Sequence, residues 1–185
     1  MKTLVLDLDE TLVFASLEPQ ERVDLELVIG TTPCFVQIRP GLEELVASIK
    51  DRWRCLVWST GQPAYVEATC KALGIDWMEL WARDRCRRLD TIPEQHHEPF
   101  DKPLVWVEPD ETSVVIVDNA PGSFACNPKN GIPIQTWRGE RADRQLVFLA
   151  DYLGWLVEQP DVRRDHWKWA TEVLLLRNAG LALHG

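Results

Sequence analysis

The sequence predicts an α/β fold with a central parallel sheet. Apolar runs of strand length alternate with stretches of helical spacing. Three of those runs end in oxygen-bearing side chains: Asp7 and Asp9 after the first, Ser59 after the second, Asp118 and Asn119 after the third. In open parallel sheets the ligand crevice lies outside the carboxyl ends of the strands. These residues are therefore predicted to share one edge.

The elements can be justified in order. "TLVLDLD" is a buried strand that runs into two acids. Burying a carboxylate is expensive unless it is paired, hydrogen-bonded or metal-bound, so Asp7 and Asp9 are either solvated or there for chemistry. "ELVIGTTPCFVQI" reads as a hairpin around Gly30-Thr31-Thr32-Pro33, broken by Arg39-Pro40-Gly41. "GLEELVASIKD" places Leu42, Leu45, Val46 and Ile49 on one helical face. "CLVWS" is the second strand. "GQPAYVEATCKALG" has Pro63 at a helix start and Gly74 at its end. Residues 76–109 are less regular, with Trp77, Leu80 and Trp81, the charged run "RDRCRR", and a loop holding His96 and His97. "TSVVIVDNAP" is the third strand and "GIPIQTW" a short fourth. "DRQLVFLADYLGWLVEQ" reads as an amphipathic helix and "RRDHWKWATEVLLLRNAG" as a terminal helix ending at Gly180.

At 185 residues the chain is expected to form one domain, 1–185, with a hairpin insertion at 13–40 and a C-terminal helix within 160–185 packed on it. The net charge of −9 disfavours a nucleic-acid backbone as the main partner, yet leaves room for a basic pocket around one phosphate. The five cysteines are odd in number and contain no C-x-x-C pair, which points to reduced thiols and a cytoplasmic location. Asp7 and Asp9 interrupt the first apolar run too early for a signal peptide, and no run has the length of a membrane span. The nine tryptophans are assigned to packing, with Trp155, Trp167 and Trp169 docking a terminal helix in preference to forming a dimer contact. The sequence leaves the oligomeric state open.

Taken alone, D-x-D-x-T also fits a solvated acidic turn or a metal-binding pair of another enzyme class. A hydrophobic strand ending in Asp118-Asn119 narrows the choice, because it adds two oxygen-bearing side chains of the kind a hard cation such as Mg²⁺ prefers.

The pieces "LDLDETLV", "IRPGLEELV", "CLVWSTGQPAYV", "RDRC", "DKPL", "VVIVDNAP" and "NGIPIQTW", running from Lys2 to about Leu156, resemble the haloacid-dehalogenase superfamily. The resemblance is to the branch that holds the RNA polymerase II C-terminal-domain phosphatases and the small Nif-interacting-factor-like phosphatases. It implies a HAD-like Rossmannoid three-layer fold and a phosphatase that works through an aspartyl-phosphate. On that resemblance Asp7 is the nucleophile and Asp9 the general acid and base. Ser59 and Lys102 contact the transferring phosphoryl group, with Thr60 as the alternative hydroxyl and Lys129 as the reserve lysine. Mg²⁺ is held by Asp7, the main-chain carbonyl of Asp9 and Asn119, while Asp118 orients Lys102 or supports the metal from behind. Ser59 departs mildly from the threonine usual at that position, and a helix cap is its competing role. Lys102 competes with a solvated surface lysine. His96-His97 reads as a polar loop, with a metal site as its alternative, and "RDRCRR" as a solvated cluster or a basic rim.

The gaps Val13 to Pro40 and Cys70 to Lys102 are too short for a large cap domain. An uncapped site suits a large substrate, so a phosphoprotein is the expected partner. Phe14, Leu17 and "ELVIG" are the candidate apolar surface beside the site, and core packing is their alternative. The chain reads as close to a minimal catalytic module. Phosphatases of small metabolites or of nucleic-acid ends, and a catalytically silent phospho-binding module, are the competing functions.

Overall fold

β1 (Thr3–Leu6) is buried along its whole length. The computed structural model describes residues 1–89 and 100–179, with side chains described as far as residue 173. His96, His97 and Gly180 lie outside the described residues. A strand with neither face to water must sit inside a sheet covered on both sides, which explains its unbroken apolar run. β1 pairs in parallel with β5 (Arg54–Trp58) on one side and β9 (Val114–Asp118) on the other. β10 (Gly131–Pro133) and β6 (Glu79–Trp81) complete a parallel sheet of order β10-β9-β1-β5-β6. The edge strand β6 falls in the stretch that reads as irregular in sequence.

Alternate residues feed two cores. Leu4, Leu6, Val57, Val115 and Val117 join a large cluster with α1 (Leu42–Ile49), α2 (Pro63–Ala72) and α3 (Gln145–Leu156). Truncating one of these leucines to alanine costs about 2–5 kcal/mol. Val5, Leu56, Trp58 and Ile116 face the other way, onto Leu104, Val107 and Phe124. That second layer comes from short 3-10 turns, Leu104–Trp106 and Pro121–Phe124. Gly131 lies under the Phe124 ring; a Cβ there would come within 2.0 Å of it.

The expected hairpin is present as β3 (Leu25–Ile29) and β4 (Thr32–Ile38), with Gly30 at φ 64° in the turn. It is joined by β2 (Val13–Ser16), which pairs with β4 to give an antiparallel sheet of order β2-β4-β3. Gly74, at φ 68°, follows the end of α2 as its sequence predicts. A small antiparallel ladder, β7 (Arg87–Arg88) with β8 (Phe100–Asp101), delivers the chain to Lys102. α4 (His166–Ala179) lies on the domain through His166 and Val173, both buried, and through Trp169, whose ring stacks on Tyr152 at 4.7 Å. Trp155 also stacks with Tyr152, at 5.7 Å, and is half exposed. No helix among the described residues is long and apolar enough to cross a membrane.

Candidate active site

The parallel register places the three strand ends side by side. Leu6 is level with Val57 and with Val117, so Asp7, Asp118 and the Trp58–Ser59 step emerge at one edge of the sheet. The Asp7 amide donates to the Val117 carbonyl at 2.9 Å and continues the ladder by one residue. The chain then turns sharply. Glu10 has a positive φ of 56°, and the amides of Leu12 and Val13 both donate to the Leu8 carbonyl. A left-handed non-glycine residue is uncommon. Here it folds Thr11 back so that its hydroxyl donates to Asp7 Oδ2 at 2.8 Å.

Lys102 is the centre of the site. Its ammonium donates to Asp7 Oδ1 and to Asp118 Oδ2, each at 2.7 Å, and all three side chains are almost fully buried. The surface-lysine alternative is therefore excluded. Burial alone would drive the ammonium toward its neutral form, but Asp118 and Asp7 outweigh it and hold Lys102 above the ordinary lysine range. Burial and the nearby Asp118 carboxylate push Asp7 above the usual carboxylate range, against the opposing pull of Lys102. The other oxygen of Asp118 accepts from the Ala120 amide at 2.7 Å, so both of its oxygens are engaged. Lys129 is exposed and stands outside the cavity, giving its main-chain carbonyl to Arg164.

Asp9 sits beside this triad, clasped from the α2 side. Tyr65 donates its hydroxyl to Asp9 Oδ1 at 2.5 Å, and Ser59 donates to Oδ2 at 3.0 Å. Burial and the Asp9 charge keep the Tyr65 hydroxyl protonated far above its usual range, which secures its role as donor. Ser59 is fully buried and also accepts from the Gly61 amide at 2.9 Å. Its oxygen faces Asp9 and the turn into α2, while Thr60 is the residue of the pair that lines the cavity.

The cavity has a volume of about 660 Å³ and is lined by Asp7, Asp9, Lys102, Asp118 and Asn119, with Arg83 and Arg138 among its other walls. Arg83 comes from the charged run "RDRCRR"; it donates to the Thr60 carbonyl and lies over the Phe100 ring. Its neighbours spread outward, Arg85 over Trp81 and Arg87 onto Asp101. That run is therefore a rim at one end and an ion pair at the other.

The donor set suits a hard divalent cation. Asp7 Oδ2 and Asn119 Oδ1 both accept from the one Thr11 hydroxyl, at 2.8 and 3.3 Å, which draws two oxygen acceptors together. Asn119 is turned that way by its amide, which donates to Thr136 at 3.2 Å. Asp7 and Asp118 flank the buried Lys102 ammonium, and Asp9 lines the same cavity. Positive charge is what such a pocket accepts, and oxygen ligands are what Mg²⁺ prefers.

Comparison with known proteins bears on this arrangement. The family model described as NLI interacting factor-like phosphatase matches residues 2–163. The chain belongs to this family. Among curated relatives, it is 30% identical over 167 residues to a "Probable C-terminal domain small phosphatase" of Dictyostelium discoideum, covering 88% of this chain and 53% of that one. It is 27% identical over 165 residues to the human "CTD small phosphatase-like protein", covering 87% and 58% respectively. The chain thus spans a little over half the length of these relatives. The solved RNA polymerase II CTD phosphatase Fcp1 of fission yeast, as a variant bound to beryllium fluoride, superposes with a TM-score of 0.57 at 19% identity, over 99% of this chain and 57% of that one. That likeness concerns the fold, and it agrees with the haloacid-dehalogenase-like architecture read from the sequence.

Three contributors to the site have no place in the sequence reading. Tyr65 reaches Asp9 from the first turn of α2, and Arg138 reaches the cavity from beyond β10. Arg39, read only as the end of the hairpin, is fully buried and donates to the Thr11 carbonyl at 3.0 Å, supporting the Asp7–Thr11 turn from beneath. Thr11 itself was visible as the last letter of D-x-D-x-T.

Proposed function

We propose that the chain is a Mg²⁺-dependent phosphomonoester hydrolase that acts through an aspartyl-phosphate and takes a phosphorylated protein segment as substrate. The single observation that carries this reading is Lys102 bridging Asp7 and Asp118 at the carboxyl edge of the sheet, with Asp9 alongside. A carboxylate held by a buried ammonium is an oriented nucleophile. A second carboxyl two residues on provides the acid.

In this reading Asp7 attacks phosphorus. One new Asp7 oxygen–phosphorus bond forms as the bond to the leaving oxygen breaks, and Asp9 gives that oxygen a proton. Asp9, now a carboxylate, then takes a proton from the water that cleaves the acyl-phosphate. Lys102 neutralises charge on the phosphoryl oxygens, and Asp118 keeps the ammonium aimed at Asp7. Thr60 is the hydroxyl placed to meet the phosphoryl group from the cavity wall, with Ser59 acting on Asp9 from behind. Asp7, the Asp9 main-chain carbonyl and Asn119 would hold Mg²⁺, which when bound lowers the repulsion between an anionic nucleophile and an anionic ester.

A protein substrate is supported by two things. The relatives' names refer to C-terminal-domain phosphatases. The segments at the two cap positions, as far as they are described, hold only the β2-β4-β3 sheet and short elements. A reducing, cytoplasmic setting suits five free thiols, three of them buried.

The test is phosphate release from phosphoserine and phosphotyrosine peptides, sugar phosphates, nucleotides and 3′-phosphorylated oligonucleotides, with and without Mg²⁺ and with Asp7→Asn as the blank. Preference for peptides is the expected result. Preference for a metabolite or a nucleic-acid end would keep the mechanism and overturn the substrate. Release that persists in the blank would overturn both.

A further inference from the structure

Asp9 accepts a hydrogen bond on each of its oxygens, from Ser59 and from Tyr65, and Tyr65 has no part in the chemistry outlined above. We propose that Tyr65 is a positioning residue for the leaving-group proton transfer, holding the Asp9 carboxyl in the orientation from which it serves the departing oxygen. The inference rests on the phosphatase reading.

The local chain is built to bring this hydroxyl to Asp9. Tyr65 stands in the first turn of α2, whose start is set by Pro63, and its amide donates to the Gln62 carbonyl at 3.0 Å. Gly61 leaves the space the ring occupies. A Cβ at Gly61 would lie 2.8 Å from Tyr65 Cδ1 and 3.1 Å from Ser59 Oγ, so any side chain there would press on both Tyr65 and Ser59. Tyr65 also lines the cavity next to Asp9, whereas Val66 and Cys70 carry the burial that packs α2 on the sheet. Tyr65 is partly buried and packs against the main core, yet its hydroxyl reaches into the cavity side of α2. A residue needed only for packing has no reason to end in a 2.5 Å contact with the proposed acid.

The chemistry gives a signature. As the ester bond breaks, its electron pair goes to the leaving oxygen and the Asp9 proton follows. A good leaving group, such as p-nitrophenolate, departs with little help from that proton. A poor one depends on it. A misplaced acid therefore penalises substrates in order of leaving-group basicity, while a general loss of packing penalises all of them alike.

The experiment is kcat/KM with Mg²⁺ for p-nitrophenyl, p-chlorophenyl, phenyl and p-methoxyphenyl phosphate, which differ little in size. Tyr65→Phe is expected to lose about threefold on the nitrophenyl ester and roughly thirtyfold on phenyl phosphate, within the range a general acid supplies. Gly61→Ala, which keeps both hydroxyls but crowds the Tyr65 ring and Ser59 together, is expected to steepen the same dependence. Equal losses across the series, or none, in variants with the wild-type thermal midpoint would overturn the proposal. If Tyr65→Phe does not fold, Gly61→Ala decides by the same criterion. A wild-type enzyme that hydrolyses none of the esters, nor any phosphopeptide, would remove the phosphatase reading and this inference with it.

Discussion

Arg39 and Asp143 form a two-point ion pair that solvent does not reach. Arg39 Nε donates to Asp143 Oδ1 at 2.9 Å and Nη2 to Oδ2 at 3.1 Å, across 104 residues of chain. The third nitrogen of the same guanidinium holds the Thr11 carbonyl, and Asp143 also accepts from the Gln145 amide as α3 begins. One side chain thus fixes the Asp7–Thr11 turn against the start of a core helix.

Breaking that pair from one side leaves a buried charge with no partner. Asp143→Ala is expected to destabilise the fold by about 3–5 kcal/mol. Arg39→Lys is expected to be only partly tolerated, because an ammonium cannot make the fork. Urea midpoints at constant m-value measure both. A loss under about 1 kcal/mol for Asp143→Ala would show that the pair contributes little.

Asp7→Asn is expected to abolish turnover while the thermal midpoint stays close to wild type, since the amide keeps the carboxylate's shape. Asp9→Asn is expected to lower kcat by about 10²–10⁴-fold through loss of acid-base catalysis. Steady-state rates on a phosphopeptide decide, and near-normal turnover by Asp7→Asn would reject the covalent route.

Mg²⁺ is expected to raise the thermal midpoint of the wild-type protein, because a ligand that binds only the folded state stabilises it. EDTA is expected to reverse the shift and stop phosphate release. Asn119→Ala is expected to show a smaller Mg²⁺ shift at the same concentration. Full activity in excess chelator, or an unchanged shift in the variant, would contradict the ligand assignment.

His166 predicts a pH dependence of stability. Burial, with Arg164 adding to it, lowers its pKa to about 4, and its Nδ1 lies 2.8 Å from the Tyr152 hydroxyl. The unfolded chain binds a proton here below about pH 6.5 and the folded chain does not until about pH 4. The contribution of neutral His166 is therefore complete above pH 6.5 and is lost as pH falls through that window, by about 3 kcal/mol at most. The stability gap between wild type and His166→Gln, read from urea melts between pH 7 and 4, should narrow as pH falls. A gap that stays constant would mean that the histidine titrates alike in both states.

Much of the site was readable because its residues sit where apolar runs stop. "TLVLDLD" and "VVIVDNAP" mark two strand ends by composition alone, and parallel pairing brings them together without any further information. Tyr65 could not be found this way. Its partner is 56 residues distant, and an aromatic residue at the start of a helix reads as packing. Arg39 was hidden for the same reason, since a charged residue before Pro40-Gly41 has the look of a surface break. The stretch from Cys70 to Lys102 has room for a strand, but "ELW" is too short to show a period, and β6 is defined by its pairing with Leu56, Val57 and Trp58. Ser59 had two readings in sequence, and the hydrogen bonds from Gly61 and to Asp9 show which groups it touches.

The β7–β8 ladder has a consequence for how such a chain can change. Arg87 faces Asp101 and Arg88 faces Phe100, and the Arg87 guanidinium grips the Asp101 carboxylate. This ladder shuts the two ends of residues 89–99 against each other immediately before Lys102. Loop closure grows slowly with length, about 0.6 kcal/mol for each doubling. Insertions or exchanges within 89–99 can therefore accumulate while the ammonium stays where it is. The position of Lys102 is thereby insulated from changes of length between the two strands, which makes the interval between them the natural place to graft a new recognition segment.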